Sequence, residues 1–362
     1  MEGGLEGVVA AETVLSDVDG AAGRLIIRGQ PLEQLAGRPA EAVAHLLFAG
    51  FFDGLPDEAA LRAALGAARE RVFGHVAYAD AEIVALPPTD GVRALLARLR
   101  DGEDLEAALD LLAAPAVFAP ALLRLRAGGR PVEPDAGLGQ AADMLRMLDG
   151  AAPAAAKAAA LDTYLVTVSD HGLNASTFAA RVVASTRAGL ASSALAAISA
   201  LKGPLHGGAP GPVLDMLDAI GEPARAEDWL ADVLDRGERL MGFGHRIYRV
   251  RDPRADALKG AVRALAAAGA IDPRRLALAE AVEAAALAIL RRRKPDRPLD
   301  TNVEFYTALL LEALGFPRDA FTAVFATGRM AGWIAHAREQ AVGGRLIRPQ
   351  SRYVGPRPQQ AA

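Results

Sequence analysis

The chain has 362 residues, with 40 Lys and Arg against 44 Asp and Glu, a net charge of −4, and no cysteine. That length can bury a large core and predicts two domains. The charge balance offers no basic field for nucleic acid, and the missing thiols exclude disulfides, thiolate catalysis and Cys-based zinc sites. Hydrophobic residues make up 52% of the chain but aromatics only 5%. Ala and Leu therefore fill the interior, and with β-branched runs scarce the composition predicts an all-α protein.

In chain order, Met1 to Ala11 carries acidic residues and no basic stretch ahead of an apolar core, so it does not read as a signal peptide. Thr13-Val14-Leu15 and Arg24 to Ile27 flank a turn-rich Asp17 to Gly23, which predicts a short β-hairpin. After Gly29 the pattern turns helical, with Leu32, Leu35, Ala42, Val43, Leu46 and Leu47 at three- and four-residue spacing. Breaks rich in Pro and Gly at Asp53 to Pro56, Leu86 to Asp90, Ala127 to Gly139 and Asp149 to Pro153 separate successive helices. Asn174 to Leu201 reads as one long helix. A second begins near Pro212, a third spans Asn302 to Leu314, and a fourth runs from Phe321 to Gln340. Arg, Asp or Glu interrupts each Ala/Leu stretch before about 18 apolar residues accumulate. No membrane contact is expected, and the expected location is cytoplasmic.

Three of the six histidines stand in glycine-rich or polar settings: His171 in Ser-Asp-His-Gly-Leu-Asn, His206 in Gly-Pro-Leu-His-Gly-Gly-Ala, and His245 in Gly-Phe-Gly-His-Arg-Ile-Tyr. Flanking glycines let backbone approach a ligand closely. A helix soon after His206 disfavours its protonation, and a neutral imidazole suits donation to a carbonyl. His45, His75 and His336 lie in plain helical text and read as ordinary packing residues. Glu304 is a carboxylate among apolar neighbours, either a helix first-turn acid or a base of raised pKa. Arg254, Arg329 and Arg348 are candidates for gripping a dicarboxylate. The run Arg291 to Lys294 ends a helix and could meet phosphates. No nucleotide-loop, zinc-protease or hydrolase motif is present, and no ligand cluster suggests a metal.

Taken together, these segments resemble the citrate synthase family nearly end to end. The resemblance rests on Gly4 to Thr13, Gly23 to Gly29, Asn174 to Phe178, Gly203 to Ala209, Gly242 to Arg254, Asn302 to Tyr306 and Arg345 to Ser351, in that order. It implies a two-domain helical fold, with a large dimer-forming domain over 1–209 and 312–362 and a small domain over 210–311 that closes over the substrates. It implies Glu304 as the base that removes an acyl-CoA α-proton, His206 as donor to the thioester carbonyl, and His245 as acid for the ketone oxygen of oxaloacetate. His171, Arg254, Arg329 and Arg348 match the oxo-acid clamp, with Arg348 supplied by the neighbouring subunit of a homodimer. Arg249 matches a coenzyme A contact, with Arg292 and Lys294 as looser candidates. The acyl-CoA enters as co-substrate, and no permanently bound cofactor or metal is implied.

Two departures stand out. The best-known members carry Asp where this chain has Glu304, and many carry His-Pro-Met where it has Pro87-Pro88-Thr89. The leading expectation is acetyl-CoA with oxaloacetate, and propionyl-CoA is the close rival that the resemblance leaves open, since one methylene is worth only about 1–3 kcal/mol in an apolar pocket. A non-catalytic relative that binds oxo acid or acyl-CoA is the competing class, and Glu304 is the feature that favours it.

Overall fold

The computed structural model describes residues 4–5, 7–207, 210–245, 247–295 and 299–356. Glu6, Gly208, Ala209 and Arg246, which belong to the quoted motifs, lie outside them. Among the described residues the regular structure is helical apart from a three-stranded antiparallel sheet of β1 (Ser16–Asp19), β2 (Arg24–Ile27) and β3 (Gln30–Pro31). Helices α1 to α8 follow as Leu32–Leu35, Ala40–Phe48, Glu58–Phe73, Ala81–Ala85, Pro88–Leu96, Leu105–Arg126, Gln140–Asp149 and Ala155–Thr167. Helices α9 to α16 are Ala175–Ala184, Leu190–Leu201, Pro210–Ile220, Ala226–Asp235, Pro253–Ala267, Pro273–Arg293, Val303–Ala313 and Phe321–Gly343.

The core is built around α6, which packs on α3, α5, α7 and α16, while α9 and α10 pair and also meet α16. By length and composition α6 could cross a membrane, with a mean hydropathy of 1.6, but 78% of that window is buried inside the protein. It is the central core helix of a folded domain. Pro115 and Pro120 fall within it, and both are buried. Helices α11, α12 and α14 form a second group, bridged to the first through α15 and through α13 against α8.

Two expectations need correction. The first strand starts at Ser16 rather than Thr13, because Leu15 is buried and its carbonyl closes the ladder by accepting from Arg28 N at 2.7 Å. Asp17 and Val18 therefore pair, and the turn shrinks to Gly20 to Gly23, with Asp19 Oδ1 accepting from the N–H groups of Ala21 and Ala22. The predicted helix over 174–201 is two helices. Arg187 and Gly189 take φ values of 64° and 100°, and Asp101 reaches across to cap α10, accepting from Ala191 N at 2.9 Å and Ser192 N at 3.2 Å. A Cβ at Gly189 would fall 2.1 Å from that carboxylate. A cap supplied from 90 residues away leaves no local signal.

The other helices follow their signals. Asn302 Oδ1 caps α15 by accepting from Glu304 N at 3.0 Å, and Gly315 ends the helix at φ 90°. Val213, Leu214, Leu217 and Ile220 of α11 are fully buried, and Gly221 closes that helix at φ 75°.

Candidate active site

Glu304 and His245 are carried by two segments joined face to face. Asn302 N donates to Gly242 O at 2.9 Å, Gly244 N donates to Asp300 O at 2.8 Å, and Phe243 bridges to Thr301. Asn302 Nδ2 adds a bond to Gly244 O at 2.8 Å. This close approach explains the Gly-Phe-Gly sequence. Gly242 and Gly244 have φ values of 86° and 79°, and a Cβ on either would come within 2.9 Å of Phe305 or Leu299. Beneath the ribbon, the buried carboxylate of Glu283 on α14 accepts from Tyr306 Oη at 2.6 Å and Thr301 Oγ1 at 2.8 Å, and pairs with Lys259. The backbone on both sides of Glu304 is thereby fixed.

The next loop, 247–251, packs against the tip of the sheet, where Arg249 N donates to Gly20 O at 2.8 Å. Ile247 N and Tyr248 N point at His245 Nδ1 from 3.0 and 3.2 Å. That nitrogen is the acceptor, so the ring proton sits on Nε2. Arg254 Nη2 lies 3.2 Å from Nε2, and as both are then donors this is a close approach rather than a hydrogen bond. Burial first, then the Arg254 charge, lowers the His245 pKa to about 4. His171 lies edge-on to His245 with centroids 5.8 Å apart, and its Nε2 is 3.1 Å from Tyr248 Oη. Burial and the Arg254 and Arg329 charges hold its pKa well below the usual histidine range.

Arg254 is buried in the first turn of α13, with Nε and Nη2 on the two oxygens of Asp252 at 3.0 and 2.8 Å. Asp252 also accepts from Arg254 N and from Val303 N at the start of α15, which ties the guanidinium to the helix of Glu304. Arg329 on α16 is buried and donates through Nε to Val168 O. Burial lowers its pKa to about 10, opposed by the Asp170 charge.

Glu304 is half-buried, and desolvation raises its pKa to about 7 against the attraction of Arg254. His206 is held at Nε2 by Ser176 Oγ at 2.8 Å, and Ser176 is itself fixed by Asn174 Oδ1 and by the Trp333 N–H. Its pKa falls to about 4. The causes are burial first and then Arg329, whereas the sequence reading invoked the following helix.

A cavity of about 390 Å³ opens onto Glu304 and His245, lined also by Asn302, Leu240 to Gly244, Leu290, Leu299, Arg239 and Lys294. Apolar side chains form its body, Arg239 and Lys294 are its cations, and Glu238 is a second carboxylate in its wall beside Glu304.

The structure thus brings His171, His245, Arg254 and Glu304 together, with Arg329 and His206 within reach of the same charges. Lys294 lines the cavity. Arg292 does not, since it lies on the exposed face of α14 paired with Glu227 at 3.0 Å. As α14 turns by about 100° per residue, neighbours in a basic run face different ways. Arg291 and Arg293 pair with Asp300 and Asp235. Arg249 is exposed on the 247–251 loop. Arg348 is exposed on the segment after α16, anchored by Ile347 N to Ser185 Oγ at 3.1 Å. Asp252, Ser176, Tyr248 and Arg239 escaped the sequence reading. Tyr248 and Asp252 sit inside the Gly242 to Arg254 motif, where a signal existed, but Arg239 had none.

This is a helical protein whose site pairs a carboxylate of raised pKa with neutral imidazoles and buried guanidinium groups, the equipment of a carbon–carbon bond-forming enzyme acting on carbonyl substrates. The family model for the citrate synthase C-terminal domain matches residues 4–350. The citrate synthase of Haloferax volcanii is 39% identical over 369 residues, covering 97% of this chain and 95% of that one. The 2-methylcitrate synthase of Mycobacterium tuberculosis is 39% identical over 367 residues, covering 97% and 90%. The ternary complex of carboxymethyl coenzyme A and oxaloacetate with the citrate synthase of Thermoplasma acidophilum superimposes with a TM-score of 0.83 at 28% identity, covering 98% of this chain and 96% of that chain. The chain belongs to the citrate synthase family, transferases that condense an acyl-CoA with oxaloacetate.

Proposed function

We propose that this chain is a citrate synthase: it removes a methyl proton from acetyl-CoA, adds the resulting enol to the ketone of oxaloacetate, and hydrolyses the citryl thioester to citrate and coenzyme A. The observation that carries the reading is the opening of Glu304 and His245 onto one largely apolar cavity with cations in its wall. Glu304 is the base. Its raised pKa of about 7 makes it strong enough to take a carbon-bound proton yet partly ionised at neutral pH. His206, neutral, donates from Nδ1 to the thioester oxygen as the enolate forms, with its Nε2 accepting the Ser176 hydroxyl proton, which turns to it from Asn174. His245 presents Nε2–H to the ketone. The Arg254 guanidinium 3.2 Å away stabilises the ring as that proton moves to the ketone oxygen. His171, Arg254 and Arg329 grip those carboxylates. Arg249, Arg239 and Lys294 meet the coenzyme A phosphates. The co-substrate supplies the reactive group, and the scheme needs no resident cofactor or metal.

The same proposal divides the chain into a large domain, 1–209 with 312–362, and a small one over 210–311 that closes on the substrates. It locates the enzyme in the cytoplasm as a homodimer whose Arg348 completes the neighbouring site. Support for a covered surface comes from exposed apolar side chains on both terminal segments, Val8, Val9 and Val14 with Val342, Leu346 and Val354. Co-expression of Glu304→Gln with Arg348→Ala tests it. If Arg348 acts across the interface, each mixed dimer holds one intact site, and about a quarter of wild-type activity returns by random pairing. Action within one subunit predicts no recovery.

Propionyl-CoA is the second substrate to weigh, because one of the three relatives named above is a 2-methylcitrate synthase. Oxaloacetate-dependent release of coenzyme A thiol, measured in parallel with acetyl-CoA and propionyl-CoA, tests the function. The ratio of kcat/KM identifies the substrate, and no release with either thioester refutes the enzyme reading. The pH profile tests the base. Because Glu304 must be ionised, kcat/KM should fall tenfold per pH unit below about 7, while the histidines near 4 stay neutral across that range. A flat profile down to pH of about 5 would reject Glu304 as the base.

A further inference from the structure

The turn that carries His171 is pinned on both sides. Val168 O accepts from Arg329 Nε, and Gly172 N donates to Ser16 Oγ at 2.9 Å. Between them Asp170 is fully buried, and both of its carboxylate oxygens lie 3.2 Å from His336 Nε2. His336 is itself buried on α16. Its other nitrogen, Nδ1, faces Arg181 Nη1 at 2.8 Å. A guanidinium only donates, so Nδ1 accepts and the ring proton sits on Nε2, directed at Asp170.

The chain of contacts continues outward. Arg181 Nε donates to Gln340 Oε1 at 3.0 Å, and Nη1 pairs with Glu339. Glu339 Oε1 accepts from Val14 N at 2.8 Å, just ahead of β1. Gln340 Nε2 donates to Arg345 O at 2.9 Å, at the root of the segment that carries Arg348. His336, Glu339 and Gln340 are spaced i, i+3 and i+4 and so share one face of α16. The carboxylate of Asp170 also attracts the buried Arg329 charge.

We propose that His336 is a positioning residue for the oxo-acid site: through Asp170 it fixes His171 and balances Arg329, and through Arg181 it ties that site to the segment bearing Arg348. This rests on the reading above that His171 and Arg329 hold oxaloacetate. An unsupported Asp170 would be a buried carboxylate short of a donor, free to pair directly with Arg329 and to shift the turn of His171.

Two substitutions in the full-length protein separate positioning from bulk packing. In His336→Asn the amide oxygen can still accept from Arg181, but the side chain is too short to reach Asp170. In His336→Gln the amide nitrogen takes the place of Nε2. Oxaloacetate binding by calorimetry and KM for each substrate are the readouts. H336N should bind oxaloacetate about tenfold more weakly with KM for acyl-CoA within about twofold, and H336Q should recover most of that loss. Equal oxaloacetate affinity in H336N and wild type, or parallel loss of both substrates without rescue by H336Q, overturns the proposal. Wild-type protein that binds no oxaloacetate would instead refute the functional reading, and this inference with it. If H336N fails to fold, H336Q alone decides. Near-wild-type oxaloacetate affinity supports the role, and a tenfold loss despite the retained donor removes it.

Discussion

Replacing Glu304 by Gln will lower kcat by about 10³- to 10⁴-fold while leaving oxaloacetate affinity within about twofold. The amide keeps the shape of the side chain and the Asn302 cap, which involves only the Glu304 backbone N–H. It loses only the ability to take a proton. Near-normal turnover in Glu304→Gln would refute the assignment, and a parallel loss of oxaloacetate binding would mean that Glu304 serves the clamp instead. Glu304→Asp asks a finer question. The ribbon of 242–244 against 300–302 and the Glu283 contacts fix the backbone, so nothing follows a side chain shortened by about 1 Å. A loss of about 100-fold is the expected result. An Asp variant faster than the natural enzyme would show that Glu304 is poorly placed in this chain.

The second large effect is on stability. Asp252 is the counter-charge of Arg254, a cap of α13 and an acceptor for the first turn of α15. Asp252→Ala leaves a buried guanidinium unpaired and should cost about 3–5 kcal/mol, read as a lower denaturation midpoint at constant m-value. A cost below about 1 kcal/mol would mean that water or Glu304 takes over the pairing. Asp252→Asn should recover part of the stability by keeping one of the two backbone bonds, since the amide offers a single acceptor oxygen. Oxaloacetate affinity should still fall, because Arg254 loses the partner that aims it.

Much of the fold was legible because helix signals are local. The Pro and Gly breaks, the apolar spacing of α11 and the Asn302 cap all act within a few residues. The reading failed where a distant group decided the outcome. Asp101 caps α10 and divides what looked like one helix, and the buried carbonyl of Leu15 sets the start of the sheet pairing. His336 showed the same limit at the site. Its neighbours in sequence are unremarkable helix, whereas its partners, Asp170 and Arg181, lie 166 and 155 residues away. Arg292 shows the limit from the other side, since a basic run does not specify which of its members turns towards the cavity.

By itself the sequence determined the helical class, the family and the chemical identities of His171, His206, His245, Arg254, Arg329 and Glu304, because residue type and motif order are properties of the chain. Only the tertiary structure decided their protonation. Burial, together with the arginine charges from α13 and α16, makes the imidazoles neutral, and burial working against those same charges brings Glu304 to the edge of ionisation. Desolvation and charge proximity depend on distances in space, and groups far apart in the chain, such as His171 and Arg329 or Glu304 and Arg254, acquire those distances only when it folds.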